Sequence, residues 1–165
     1  MRHQLTFLVF FISVSTLQAQ KLEKLRIGIG AGYAIYSASS QNGVLLTVEP
    51  SYKVNNNFSI GMKYETVAKS KFLSIRGAKE ISSISLNGQY YFTDKSLFQP
   101  FFGLGVGVYS AEEVEFANTQ LFGIYPKVGF DLKHFSFCVE HNILSKGNGN
   151  NYLGVKGGVF VGGGR

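Results

Sequence analysis

Apolar and polar residues alternate along most of this chain, in eight separate segments. In the first segment Leu25, Ile27 and Ile29 fall on one face, and the residues between them fall on the other. Such period-two alternation is typical of a β-strand whose two faces meet different surroundings. The segments span residues 25–35, 44–54, 58–65, 83–92, 98–108, 122–133, 135–143 and 153–161. Each is about as long as a tilted strand needs to cross a membrane, ~9–11 residues.

The links between these segments alternate strictly in length. Three are tight turns built from residues that tolerate turn geometry: Asn55–Asn57, Asp94–Ser96 and Lys133–His134. The other four are longer and span residues 37–43, 66–79, 110–119 and 145–151. Short periplasmic turns and longer outer loops are typical of up-and-down barrels in bacterial outer membranes. The chain is therefore predicted to form an eight-stranded antiparallel up-and-down transmembrane β-barrel.

The polar face of the strands is rich in glycine, which is unusual for a face exposed to water. Its glycines are Gly28, Gly30, Gly32, Gly61, Gly103, Gly105, Gly107, Gly154 and Gly158. Glycine weakens a strand unless bulky neighbours need the space, and a narrow barrel interior supplies that need. We therefore expect the polar face to point inward and the apolar face to meet lipid. If the faces are inverted, a periplasmic lipocalin-like carrier becomes the alternative.

Charged side chains on the polar face are predicted to form an interior network of ion pairs and hydrogen bonds. Both signs should be mixed there, because a buried charge without a partner is costly. The predicted members are Arg26, Glu49, Lys53, Lys63, Glu65, Lys127, Asp131, Lys133, Glu140 and Lys156. The surplus of bases suggests that some lysines lie near a wet mouth of the barrel. Such a network would fill the narrow lumen of an eight-stranded barrel. A narrow diffusion pore is therefore kept only as the second interpretation.

Five aromatic residues on the apolar face lie within three residues of the short turns: Tyr52, Phe58, Phe92, Phe98 and Phe135. In a barrel they would form a ring at one rim. Outer-membrane barrels carry aromatic girdles at this depth. The five are therefore predicted to form a periplasmic-side aromatic girdle.

The first nineteen residues differ in kind from the rest. Arg2 and His3 give a basic start, and Leu5–Val14 is an apolar run too short to span a bilayer as a helix. Leu17-Gln18-Ala19 then offers a cleavage site. Residues 1–19 are predicted to be a cleaved signal peptide and residues 20–165 the outer-membrane barrel domain. A buried N-terminal strand or helix is the alternative.

Composition and charge narrow the class of partner. Hydrophobic residues make up 45% of the chain, charged residues 16%, and the formal net charge is +6. The bases are scattered along the chain, which predicts no nucleic-acid partner. Cys138 is the single cysteine, so the chain has no internal disulfide and no thiolate metal cluster. We expect a monomer.

The leader, the eight alternating strands, the alternating links and the glycine-rich segment 151–162 together resemble a known family of outer-membrane β-barrels. This family includes the OmpA transmembrane domain and the OmpX-like small barrels. The resemblance implies a structural role in the outer membrane or the presentation of loops to external partners. Such barrels often end on an aromatic residue that is recognised during assembly, whereas this chain continues from Phe160 to Arg165. Either Phe160 serves from an internal position or the signal differs.

Catalytic and cofactor sites find little support in the sequence. The glycine runs at 28–32 and 103–107 have the wrong spacing for nucleotide binding, and no helix follows them. We therefore predict no cofactor, and no set of metal ligands has credible spacing. Ser145, His141 and Glu140 are the candidates for a lipid-modifying enzyme, but alternation places Glu140 and His141 on opposite faces. No catalytic site is predicted, and such an enzyme is the third interpretation.

The outer loops suggest a partner besides outer-membrane lipids. The link 66–79 carries four bases, Lys69, Lys71, Arg76 and Lys79, and the next long link carries three glutamates, Glu112, Glu113 and Glu115. The bases are expected either to bind lipopolysaccharide phosphates or to pair with these glutamates.

Overall fold

The computed structural model describes residues 24–37, 42–69, 80–93, 97–112, 118–145 and 151–163. The predicted signal peptide, residues 1–19, lies outside the described residues. The same holds for the turn Asp94–Ser96, for Lys71, Arg76 and Lys79, and for the side chain of Lys69. The signal peptide therefore stays a prediction.

Eight antiparallel strands form one closed barrel, in which each strand pairs with the next and β1 pairs with β8. The strands are β1 Leu25–Tyr36, β2 Asn42–Lys53, β3 Phe58–Lys69, β4 Glu80–Tyr91, β5 Phe98–Glu112, β6 Asn118–Leu132, β7 Phe135–Leu144 and β8 Tyr152–Gly162. The described residues contain no helix that is long and apolar enough to cross a membrane. The predicted fold class is confirmed.

The short links are fixed by local hydrogen bonds and turn geometry. In the β2–β3 link, the backbone N–H groups of Asn57 and Phe58 donate to Asn55 Oδ1 at 2.9 and 2.7 Å. In the β6–β7 turn, Lys133 has a φ of 52°, a left-handed conformation that residues other than glycine adopt rarely. These turns set the register of their hairpins and align the strand ends at one rim of the barrel.

The strands run further toward the long links than the sequence pattern indicates. β3 continues to Lys69 and β6 begins at Asn118. These extensions remain paired: Val67 lies opposite Ile81, and Tyr109 lies opposite Leu121. The additional strand residues bury side chains inside the barrel, and this burial stabilises the extended strand ends.

The outer wall is apolar around the barrel. Ile29, Leu86 and Phe122 point outward with 60, 64 and 72% of their surface exposed. Many further Val, Ile, Leu and Phe side chains on all eight strands do the same. Soluble monomers rarely expose an apolar patch larger than a few hundred Å², whereas a bilayer covers such a wall without penalty. The apolar face is therefore outside, and the inverted, lipocalin-like alternative is wrong.

A group of buried side chains fills the interior at the long-link end of the barrel. We call this group the apolar cap; it consists of Ala34, Tyr36, Leu45, Val67, Ile81, Tyr109, Leu121, Leu144 and Tyr152. Each is at most 4% exposed. The expectation of a polar interior is thus corrected for this end, because inward positions near the long links carry apolar and tyrosine side chains.

Candidate functional site: the charged interior

Arg26 on β1 anchors a cluster near the short-turn end of the lumen. Its guanidinium forms a bidentate pair with Asp131 on β6, with Nη2 3.1 Å from Oδ1 and Nη1 on Oδ2. Nη1 also donates to the Tyr91 hydroxyl at 2.8 Å, and the guanidinium carbon lies 3.5 Å from the centre of the Phe160 ring. Bidentate pairing and stacking use the planar guanidinium fully, so Arg26 is held in one geometry.

A chain of hydrogen bonds leads from this cluster toward the middle of the barrel. Tyr91 donates to Gln89 Oε1 at 2.9 Å, and Gln89 Nε2 donates to Glu49 Oε1 at 2.6 Å. The same Glu49 oxygen accepts a bond from Lys127 Nζ at 2.7 Å. Arg26, Asp131, Tyr91, Gln89, Glu49 and Lys127 are called the short-turn cluster.

Two lysines and two glutamates alternate in a second cluster at the centre. Lys63 Nζ lies 3.1 Å from Glu65 and 2.8 Å from Glu140. Lys156 Nζ lies 2.8 Å from each of the same two carboxylates. Tyr152 adds a hydrogen bond to Glu65 Oε1 at 2.7 Å. Every carboxylate in this central cluster meets two ammonium groups, which offsets the desolvation of four buried charges.

Small residues on one strand make room for large ones on another. The Tyr125 ring lies under Lys63, whose Nζ is 3.7 Å from the ring centre, and the Tyr125 hydroxyl is 3.0 Å from Ser85 Oγ. A Cβ atom at Gly105 would overlap that ring. A Cβ atom at Gly103 would lie 2.9 Å from Lys127 Cε. These two glycines are required by close approach inside the lumen.

Two of the ion pairs join strands that face each other across the barrel. Lys63 on β3 meets Glu140 on β7, and Glu49 on β2 meets Lys127 on β6; each pair of strands is four steps apart in the ring of eight. Contacts of 2.8 and 2.7 Å therefore bridge opposite walls of the lumen at those levels. A cavity of about 50 Å³ remains between the clusters and is lined by residues that include Cys138. It has room for a few water molecules, since one needs ~10–15 Å³ by this measure.

The central cluster is also connected to the apolar cap. Asn142 Nδ2 donates to Glu140 Oε1 at 3.2 Å, and Tyr109 of the cap donates to Asn142 Oδ1 at 2.7 Å. Both Tyr109 and Tyr152 thus keep their rings in the cap and their hydroxyls in the polar network. Hydrogen bonds thus link the central cluster to the cap, and the small cavity between the two charged clusters is the gap that the described side chains leave in the lumen.

Eight of the ten residues predicted for the interior network are brought together in these two clusters. They comprise four cations and four carboxylates: Arg26, Lys63, Lys127, Lys156, Glu49, Glu65, Asp131 and Glu140. These eight side chains are therefore balanced in formal charge.

The other two predicted members lie elsewhere. Lys133 is exposed in the β6–β7 turn, so its assignment to the interior is corrected. The alternation ends with Leu132, and the left-handed turn directs Lys133 out of the lumen. Lys53 is half-buried at the mouth, where its Nζ lies 5.5 Å from the centre of the Tyr91 ring.

The five predicted girdle residues all lie on the outer wall near the short turns. They are Tyr52, Phe58, Phe92, Phe98 and Phe135, with 38 to 63% of their surface exposed. Neighbouring rings join them: Tyr90 meets Phe92 edge-on at 5.6 Å, and Phe130 packs against Phe98 at 5.2 Å.

The candidate catalytic residues are not assembled. Glu140 points inward to Lys63 and Lys156, whereas His141 is exposed on the outer wall. Ser145 Oγ accepts a hydrogen bond from the Phe122 N–H at 3.3 Å. Within the described part of the chain, no three His, Cys, Asp or Glu residues are grouped to hold a metal ion.

Sequence reasoning missed the apolar cap and most hydrogen-bonding partners of the charged residues. Pairs of consecutive apolar residues at the long-link ends of the strands could have predicted the cap. Such pairs include Leu45-Leu46, Leu121-Phe122, Ile143-Leu144 and Tyr152-Leu153. One member of each pair must point inward, because successive strand side chains alternate between faces.

No family model matches the chain, and no curated protein matches it. Three solved structures are similar in fold. Neisserial surface protein A (NspA) aligns with a TM-score of 0.61 at 15% identity, over 83% of this chain and 94% of that one. The N-terminal β-barrel domain of Pseudomonas aeruginosa OprF gives 0.56 at 14%, over 82% and 97%. The Yersinia pestis outer membrane protein Ail, in a phospholipid bilayer nanodisc, gives 0.50 at 15%, over 82% and 99%.

The chain superposes on these barrels over most of its length. It has a closed topology, an apolar outer wall and a lumen occupied by charged clusters and an apolar cap. The chain is a small eight-stranded transmembrane β-barrel with the fold of outer-membrane barrels such as NspA and the OprF domain.

Proposed function

We propose that this protein is an integral outer-membrane protein with a structural or surface-interaction role, whose barrel does not conduct. The observation that carries the proposal is the set of ion pairs between opposite strands, Lys63–Glu140 and Lys127–Glu49. A passage would require these pairs to separate. Breaking a buried pair costs about 3–5 kcal/mol, so a spontaneously open lumen would be rare.

The outer-membrane location is supported by the wall and its rims. An apolar band with an aromatic girdle beside short turns is typical of outer-membrane barrels. Two of the similar structures are described as a surface protein and an outer membrane protein, which is consistent with this location. In this proposal the signal peptide directs export, the short turns face the periplasm and the long links face outward.

In this proposal the long links present the surface for partners, because the described interior is occupied by side chains. For the basic link we propose contact with lipopolysaccharide phosphates through Lys69, Lys71, Arg76 and Lys79. Replacing all four with glutamine should weaken binding to lipopolysaccharide-containing vesicles. Replacing Glu112, Glu113 and Glu115 with glutamine is the matched control and should not. Unchanged binding in the first variant would remove this part of the proposal.

Membrane fractionation and liposome swelling test the proposal together. Folded protein should appear in the outer-membrane fraction and change gel mobility on boiling. Liposomes that contain it should swell in small sugars no faster than empty liposomes. Recovery in the soluble periplasm, or swelling at the rate of a general porin, would overturn the proposal.

A further inference from the structure

Strand pairing within the described residues is continuous across six of the eight contacts between neighbouring strands. The contact between β2 and β3 is interrupted. Its paired residues do not include Glu49 and Pro50 of β2, or Met62 and Lys63 of β3. Proline has no N–H group and removes a hydrogen bond from the ladder, so it is rarely found inside a sheet. We call these four residues the first seam.

A second interruption lies on the other side of the barrel, between β6 and β7. The paired residues of these described strands leave out Tyr125 and Pro126 of β6, and His141 and Asn142 of β7. We call these four residues the second seam, in which Pro126 is the residue without a donor. In the ring of eight strands β6 is four steps from β2, and β7 is four steps from β3. The two seams therefore face each other across the lumen.

The ion pairs that cross the lumen begin and end at these seams. Glu49 of the first seam pairs at 2.7 Å with Lys127, which lies next to the second seam in β6. Lys63 of the first seam pairs at 2.8 Å with Glu140, which lies next to the second seam in β7. Lys63 Nζ also lies 3.7 Å from the centre of the Tyr125 ring in the second seam. Each strand of one seam is thus joined inside the lumen to a strand of the other.

These contacts oppose the separation of the strands at the seams. An incomplete ladder is costly in a membrane, because backbone groups there find no water as a hydrogen-bond partner. Segments with fewer hydrogen bonds also open locally at a lower free energy than the rest of a protein. The strands of the first seam cannot move apart unless Glu49 or Lys63 leaves its partner or the second seam moves as well. Leaving a buried charge without its partner is strongly destabilising.

We propose that the two seams are the weak points of the sheet and that the ion pairs across the lumen hold them to each other. The seams then open together, and the loss of one ion pair loosens strand pairing on both sides of the barrel. This inference goes beyond the proposed function, because it gives the ion pairs a role in strand pairing in addition to closing the lumen. It rests on the register of the strands and on the contacts between their side chains.

Hydrogen–deuterium exchange with mass spectrometry, on folded protein in detergent micelles, tests the proposal. In the wild type, amides beside the seams should exchange faster than those of the continuous β4–β5 pairing. Glu49→Gln leaves Lys127, which is 2% exposed, without its carboxylate. It should speed exchange by about tenfold or more at both seams. Asp131→Asn is the matched control, because it breaks an ion pair between β1 and β6 that lies outside both seams, and it should leave the first seam unchanged.

Replacing a proline tests the seams without breaking an ion pair. Pro126→Val supplies the missing N–H group and should slow exchange at the second seam by about fivefold. Combined with Glu49→Gln, it should reduce the response of the second seam and leave that of the first. Pro100, the third proline of the chain, lies beyond the last β4–β5 pair and interrupts no ladder of the described strands. Pro100→Val is therefore the control and should change neither seam.

Faster exchange that is confined to the first seam in Glu49→Gln, or that is spread evenly over all strands, would overturn the proposal. Unchanged exchange at the second seam in Pro126→Val would also overturn it. Wild-type protein whose gel mobility does not shift on boiling would count against the proposed function. Folded wild-type protein with equal exchange at the seams and in β4–β5 would count only against the seams.

Discussion

The apolar cap and the charged clusters beneath it fill one lumen in different ways. The cap excludes water with close-packed side chains such as Leu45 and Val67, none of which needs a specific partner. The clusters fill their space with charged side chains, each of which needs an oppositely charged partner when it is buried. Glu140, for example, pairs with both Lys63 and Lys156. Because the cap keeps the loop end dry, the ion pairs below it are stronger than they would be in water. The two regions should therefore respond differently to the loss of one side chain.

The largest effect is expected in the central cluster. Glu140→Ala leaves Lys63 and Lys156 facing each other with only Glu65 between them. The free energy of unfolding should fall by about 3–5 kcal/mol, because a buried charge loses its partner. Urea unfolding in liposomes measures this loss. Lys53→Ala, at the wet mouth, is the control and should change stability far less; equal losses would mean that the central charges are hydrated.

The cap should lose stability by leaving a cavity. Leu45→Ala is expected to cost about 2–5 kcal/mol, since Leu45 is fully buried. Its neighbour Leu46 points to the outer wall with 53% of its surface exposed, so Leu46→Ala is a matched control. The same unfolding assay should separate the two variants. If Leu46→Ala costs as much as Leu45→Ala, the cap is not a packed core.

A methyl group added in the lumen tests packing beneath the cap. Gly105→Ala should destabilise the protein by about 1–3 kcal/mol, because the new Cβ would overlap the Tyr125 ring. Gly28 also faces inward, but a Cβ there would meet no atom closer than 3.6 Å, so Gly28→Ala should be tolerated. Thermal unfolding of both variants checks this. A tolerated Gly105→Ala would contradict a lumen filled at this level.

The smallest effect is expected where the two regions meet. Tyr109→Phe removes the hydrogen bond to Asn142 but keeps the ring in the cap. A loss of about 0.5–1.5 kcal/mol is expected. Tyr90→Phe on the outer wall is the control and should be close to neutral. A neutral Tyr109→Phe would indicate that cap and cluster are energetically independent.

Much of the fold could be predicted because, in most strands, the residues of one face are apolar and those of the other are glycine or charged. The two faces can then be told apart in the sequence. Arg26, Lys63 and Glu140 lie on the polar faces of such strands, so their inward direction follows from strand geometry. At Leu45-Leu46 both faces are apolar, the contrast disappears, and the cap could not be read from the pattern.

The partners of the interior charges could not be predicted. Glu49 and Lys127 lie on strands four steps apart, and whether they meet depends on the stagger of the barrel, which alternation does not report. Lys133 shows the opposite limit. Continued strand alternation would place its side chain inward, but the left-handed turn begins at that residue.

Single-channel recording in a planar bilayer tests the closed lumen most directly. Wild-type protein whose mobility shifts on boiling, and which is therefore folded, should give no stable conductance step at moderate voltage. A large, stable conductance in that protein would show that the opposite-strand ion pairs do not close the barrel, and a diffusion pore would replace the structural role proposed here.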